Sequence, residues 1–134
     1  MSYDIHKAAV IGSGTMGAGI AGLLAGVGIP VVLLDIPDPN SSPGDPPAKR
    51  NSIVNGNLKR LQKSRPAQLF KASDINLITG GNTEDDLELL ADADWIIEVI
   101  VEKLSIKQDL MAKLEKVRKS GSIITSNTSG LSIK

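Results

Sequence analysis

The chain has 134 residues with 15 basic and 15 acidic side chains, so its formal charge is zero. It has no cysteine, one histidine (His6) and three aromatics, Tyr3, Phe70 and Trp95. That length suits one domain with an adequate core, and the composition excludes a disulfide framework and a cysteine-ligated metal site. Zero charge and scarce aromatics argue against nucleic-acid binding, no apolar run is long enough for a membrane span, and a lone imidazole argues against a Ser-His-Asp triad.

The opening segment MSYDIHKAAV has the pattern of neither a secretory signal nor a transit peptide, so the expected compartment is cytoplasmic. The N-x-S tripeptides at Asn40 and Asn127 are therefore read as chance. Lys7–Ile11 reads as a buried strand running into glycines. From Gly14 to Val27, Ile20, Leu23, Leu24 and Val27 fall on one helical face. Gly28 occupies the expected C-cap and Pro30 follows. Val31–Asp35 is a second strand, whose apolar, β-branched start fits a parallel strand covered on both faces.

Pro37–Ala48 holds five of the seven prolines and predicts a mobile loop. Helical spacing returns over Arg50–Ser64, with Ile53, Val54, Leu58 and Leu61. Ile75–Thr79 reads as a third strand stopped by Gly80-Gly81, and a short helix covers Asp85–Leu90 with Thr83 as its cap. Trp95–Val101 is a fourth strand. Ser105 and Gln108 fit a capping box for a helix carrying Ile106, Leu110, Leu114 and Val117. Gly121 ends that helix and Ser122–Ser126 is a fifth strand. Strands alternating with helices predict an α/β, Rossmann-type doubly wound parallel sheet with helices on both faces, formed as one domain over residues 1–134.

The strongest local pattern is Gly12-Ser13-Gly14-Thr15-Met16-Gly17, a G-x-G-x-x-G between a predicted strand and a predicted helix. Gly12 allows the turn, Gly14 lets a pyrophosphate approach the backbone, and Gly17 lets the helix pack on the sheet. The helix N-terminus offers amide groups and the positive end of its dipole to phosphate. Asp35 closes the second strand, 18 residues after Gly17. Its carboxylate is placed to accept the hydroxyls of an adenosine ribose and to repel a 2′-phosphate, which reads as NAD over NADP. Glycines packing helix on sheet explain part of the pattern without any ligand.

Glu98–Glu102 and Ser126–Ser129 fall at strand ends, where such sheets bind ligands. Four segments, VIGSGTMGAGIA (10–21), VVLLDI (31–36), ADADWIIEVIVEKLSIKQDL (91–110) and ITSNTSGLSI (124–133), resemble the NAD-binding domain of the 3-hydroxyacyl-CoA dehydrogenases of fatty-acid β-oxidation. The resemblance implies that Gly12 to Gly17 hold the pyrophosphate and Asp35 the ribose. It implies that Glu102 and Lys107 contact the NAD side, that Asn127 shapes the turn beside the cofactor, and that Ser129 is the catalytic serine bonding the 3-oxygen of substrate. The family's histidine base follows the serine motif, and His6, ahead of the first strand, is no substitute.

The intact protein would thus act on an acyl-CoA and would either dimerise through a C-terminal helical domain or be fused to an enoyl-CoA hydratase. The 134 residues would bind NAD without turnover. Two departures are Gly130, where the family commonly has a second serine, and the proline-rich loop. A non-catalytic NAD-sensing module, or another 3-hydroxyacid or 6-phosphogluconate-type dehydrogenase, are the competing readings. The basic residues Arg50, Lys59, Arg60, Lys63 and Arg65 read as a solvated helix face, with contact to CoA phosphates as the functional alternative. Asp85, Asp86, Asp92 and Asp94 read as caps and solvated turns.

Overall fold

The computed structural model describes residues 5–64, 76–99, 104–119 and 121–126, without the side chains of residues 15, 62–64, 104–107 and 126. In chain order the elements are β1 (Ala8–Ile11), α1 (Thr15–Gly26), β2 (Val31–Asp35), α2 (Pro47–Arg50), α3 (Ser52–Ser64), β3 (Ile78–Asn82), a 3₁₀ turn (Leu87–Leu90), β4 (Trp95–Glu98), α4 (Leu104–Val117) and β5 (Ile123–Ser126). The five strands are ordered β3-β2-β1-β4-β5, and every described pairing is parallel. This is the expected doubly wound sheet.

The strands form where apolar and β-branched residues run together, and all four residues of β1 are buried. Alternation then sends side chains to two cores. On one face Ala9, Ile11, Val32, Leu34 and Ile96 pack against Leu110 and Leu114 of α4 and against Leu90 of the 3₁₀ turn. On the other, Val10, Val31, Leu33, Ile78 and Ile97 pack against Ala21 and Ala25 of α1 and Val54 of α3. Burying a leucine or isoleucine fully in either layer contributes about 1.5–3 kcal/mol.

The face that α1 turns inward is only partly the one its large residues suggest: Ile20 and Leu24 pack against the core, Leu23 and Val27 do not. Ala18, Ala21 and Ala25 are buried, whereas Met16, Leu23 and Val27 are exposed. Alanines join Ile20 and Leu24 on the side of the helix that packs on the sheet. The end of α1 follows expectation: Gly28 takes φ +91°, its N–H donates to Ala25, and the N–H of Ile29 donates to Leu24.

Several boundaries move. Strand β3 begins three residues later than predicted and runs through Gly80 and Gly81, which pair with Leu33 and Leu34 of β2. A Cβ at Gly80 would stand 3.2 Å from Leu58 and one at Gly81 would stand 2.6 Å from the Asp86 carboxylate, so these glycines admit close neighbours rather than stop the strand. Helix α2 starts inside the proline-rich stretch, because Pro47 at its first turn has no amide to leave unpaired. The turn before the 3₁₀ segment is held by Asn82, not Thr83: its Oδ1 accepts from the amides of Glu84 at 2.9 Å and Asp85 at 2.7 Å. Ser105 lies within α4 rather than at its cap.

At the amino-terminal edge of the sheet, Asp94 accepts the amides of His6 (2.7 Å) and Lys7 (3.1 Å) and pairs with Lys119. The Lys119 ammonium and the His6 amide hold its carboxyl down to about 2. Asp92 pairs with Lys7 at 2.7 Å. These two acids are therefore staples between β1, β4 and the end of α4, not merely solvated turns. His6 is exposed at this edge.

Candidate functional site

Strand β1 sits between β2 and β4, so the chain leaves it in opposite directions on its two sides. That divergence opens a crevice at the carboxyl ends of β1 and β4. Ile11 and Glu98 stand opposite one another there. The ladder runs one residue further on each side: Gly12 N–H donates to Leu34 at 2.7 Å and Val99 N–H to Ile11 at 2.9 Å.

The chain then turns from β1 into α1. Gly12 takes φ +111°, a region that side-chain-bearing residues rarely adopt. A Cβ at Gly17 would lie 1.6 Å from the Gly12 carbonyl oxygen, so the first turn of α1 rests directly on the loop backbone. At Gly14 a Cβ would meet nothing within 4 Å. The space beside Gly14 is therefore open. Gly14 is the N-cap of α1 without a side-chain cap bond, and the first turn carries no acidic residue. Its amides and dipole end are thus arranged for an anion.

Ser13 is fully buried beneath this loop. Its amide and hydroxyl both donate to Asp35 Oδ2, at 2.7 Å and 2.5 Å, and the Ile36 amide donates to Asp35 Oδ1 at 2.7 Å. Oδ2 thereby has two donors and Oδ1 one, which leaves Oδ1 the spare acceptor capacity. From α3, Asn57 Nδ2 donates to Ser13 Oγ at 2.7 Å.

Beyond Asp35 lies a cleft of about 510 Å³ between the loop after β2 and α4, walled by Ile36, Pro37, Pro39 and Leu110 with Asp109 and Lys113 at its side. The proline-rich loop that forms one wall is tied down: Asp38 N–H donates to Arg50, and the Ser52 hydroxyl donates to Asp38. The Ser52 hydroxyl and the Asn40 amide hold the Asp38 carboxyl below the usual carboxylate range. Arg50 also borders the cleft. It is buried, and its guanidinium grips Asp85 at 2.9 and 3.1 Å and Glu84 at 2.7 Å. The pair raises the Arg50 pKa and lowers that of Asp85. Arg50 is thus no part of a solvated basic face, whereas Lys59 and Arg60 are exposed.

Of the residues singled out by the sequence, Gly12, Ser13, Gly14, Thr15, Met16, Gly17 and Asp35 converge on this crevice. Thr15 is placed by its backbone at the first position of α1. Glu102, Asn127 and Ser129 lie outside the described residues, as does the side chain of Lys107 in α4. Sequence reasoning missed Asn57. Its signal is a polar residue within the apolar stripe Val54, Leu58, Leu61 of α3. It also left open Glu98, which is buried at the end of β4. Among the described residues no group of three or more His, Cys, Asp or Glu could hold a metal ion, and no helix is long and apolar enough to cross a membrane.

Comparison with known proteins places this arrangement. The family model described as "3-hydroxyacyl-CoA dehydrogenase, NAD binding domain" matches residues 7–134. A Bacillus subtilis protein named as a 3-hydroxyacyl-CoA dehydrogenase is 47% identical over 143 residues, covering 100% of this chain and 18% of its own length. A Rickettsia felis protein named as a fatty acid oxidation complex trifunctional enzyme is 48% identical over 134 residues, again covering 100% of this chain and 18% of its own. The crystal structure of 3-hydroxybutyryl-CoA dehydrogenase from Escherichia coli K12 matches with TM-score 0.72 and 32% identity, over 98% of this chain and 26% of that one. This chain thus spans less than a third of the length of each of these relatives.

Proposed function

Since the chain belongs to the NAD-binding domain family of the 3-hydroxyacyl-CoA dehydrogenases, we propose that it holds NAD in the crevice above β1 and β4 and presents it, within a longer protein, to a 3-hydroxyacyl-CoA. The reaction is oxidation of the 3-hydroxyl to a 3-oxo group, as in fatty-acid β-oxidation. The observation that carries this reading is the glycine cradle. Gly17 packs on the Gly12 carbonyl, while the face of Gly14 is open and the start of α1 has no side-chain cap. A pyrophosphate fits that donor set.

NAD, when bound, supplies the hydride acceptor. The chain's own residues bind and orient. The amides from Gly12 to Gly17 hold the diphosphate, and Asp35 Oδ1 takes a ribose hydroxyl and disfavours a phosphate at that position. The apolar walls Ile36, Pro37 and Leu110 suit an adenine ring. By position in the family motifs, Glu102, Lys107 and Asn127 serve the nicotinamide side, and Ser129 bonds the substrate 3-oxygen as it becomes a ketone. His6, at the far edge of the sheet, takes no part. The proton acceptor therefore comes from outside these 134 residues, and the chain alone binds NAD without turnover. The relatives' names support two settings for the whole protein, a dehydrogenase or a multifunctional fusion, and the first would dimerise through a C-terminal domain as the family resemblance implies.

Calorimetric titration tests the core of the reading. The chain binds NAD more tightly than NADP, and Asp35→Ala weakens NAD binding about tenfold while narrowing that preference. Equal affinity for NAD in the chain and in Asp35→Ala would remove Asp35 from the site.

A further inference from the structure

We propose that Asn57 is a positioning residue for cofactor selection, acting through Ser13 on the Asp35 carboxylate. The inference rests on Asp35 as the ribose contact. Three groups from three elements make one chain of hydrogen bonds: Asn57 Nδ2 to Ser13 Oγ at 2.7 Å, then Ser13 Oγ to Asp35 Oδ2 at 2.5 Å.

The direction of this chain follows from proton counting. An ionised carboxylate only accepts, and a hydroxyl has a single proton. Ser13 gives that proton to Asp35, so its remaining lone pairs require a donor, and Asn57 supplies one. Helix α3 thereby reaches across 44 residues of sequence to orient a hydroxyl sealed under the phosphate loop.

Removing Asn57 frees the Ser13 hydroxyl to turn away from Asp35. The carboxylate would then be held by the Ser13 and Ile36 amides alone. Its Oδ1 is the oxygen with room for a ribose hydroxyl, so a looser carboxylate costs NAD affinity. The same loosening relieves the repulsion of a 2′-phosphate. Asn57 thus contributes to selection between the two dinucleotides without touching either.

A polar side chain in the apolar stripe of α3 is also costly unless bonded. Ser13 is its side-chain partner among the described residues.

The test is a double-mutant cycle on the full chain, read by calorimetry with NAD and with NADP. Asn57→Leu keeps the volume and deletes the donor. The expected result is a fivefold to tenfold loss (about one hydrogen bond to a charged group) for NAD, a smaller loss for NADP, and so a reduced NAD preference. In a Ser13→Ala background, adding Asn57→Leu changes nothing further, because the link is already broken. Thermal unfolding followed by the single tryptophan, Trp95, stays at the parent temperature. Should Asn57→Leu not fold, Asn57→Ala, which deletes the donor without adding a charge, is read in its place with the same expectations.

Asp35→Ala separates the two levels of the argument. If it weakens NAD binding and Asn57→Leu does not, the role of Asn57 is overturned and the site stands. Losses that add in the double variant, or that are equal for NAD and NADP, overturn it as well and reduce Asn57 to packing. If Asp35→Ala itself has no effect, the ribose assignment fails first.

Discussion

The carbonyl oxygen of Gly12 occupies the place where Gly17 would carry a Cβ, 1.6 Å from its ideal position. At Gly14, two residues along the same loop from Gly12, a Cβ would meet no protein atom within 4 Å. The two glycines are therefore separable by experiment. Gly17→Ala must push backbone from backbone and lowers the melting temperature by several degrees or prevents folding. Gly14→Ala, at φ −63°, leaves the melting temperature unchanged or slightly raised. On the proposed reading it weakens NAD binding at least about tenfold, since the added methyl enters the space assigned to the diphosphate. Paired unfolding and titration curves decide; a Gly14→Ala chain with full affinity would move the diphosphate elsewhere.

Arg50 ties the proline-rich loop and α2 to the turn after β3 through Asp85 and Glu84. Arg50→Met removes the cation and leaves its two acids facing each other, whereas the isolated exposed cation Lys59 has no comparable partners described. The expected outcome is a melting temperature lower by at least about 5 °C for Arg50→Met and little change for Lys59→Met. Since Arg50 also borders the cleft, NAD affinity falls with it. Circular dichroism melts of the two variants check the contrast.

Leu114 of α4 is fully buried in the layer formed with Ala9, Ile96 and Leu110. Leu114→Ala leaves a cavity and costs about 2–5 kcal/mol of unfolding free energy. Urea unfolding followed at Trp95 measures it. Because α4 walls the cleft proposed for adenine through Leu110, the surviving folded fraction is expected to bind NAD more weakly.

The Asp94 staple carries a pH signature. Its folded carboxyl is lowered to about 2 from 3.8 by Lys119 and the His6 amide. A depressed carboxylate contributes stability that is fully present above its unfolded value and is lost as pH falls through the folded one. Stability conferred by Asp94 is therefore intact above pH 5 and disappears between about pH 4 and pH 2. Asp94→Asn is less stable at pH 7, and its stability declines less steeply across that acid window. Denaturant midpoints at pH 7, 4 and 2.5 test both statements.

The glycine loop, the acid at the end of β2 and the strand–helix alternation were all legible in the residues themselves. Each depends on near neighbours: a turn needs glycine at Gly12 whatever lies far away, and Val31–Asp35 is apolar because a parallel strand is covered on both sides. Local apolar spacing also marked α1 and put Ile20 and Leu24 on its inward side, but it added Leu23 and Val27, which are exposed, and passed over the buried alanines. The tight seat of Gly17 on Gly12 brings that helix close enough for alanines to face the sheet, and this distance is a tertiary quantity.

The chain by itself settled that a parallel α/β sheet forms and that a glycine turn links its first strand to the first helix, because both follow from torsion angles and burial periods within a few residues. Only the folded structure decided that Arg50 is buried between two carboxylates, that β3 runs through its glycines, and that Asn57 reaches Ser13 and Asp35. The hydrogen-bonded partners lie 22 to 44 residues apart, and the glycines of β3 meet neighbours across packed layers. A hydrogen bond or ion pair has no period along the sequence; it exists only once the backbone has brought donor and acceptor to about 3 Å.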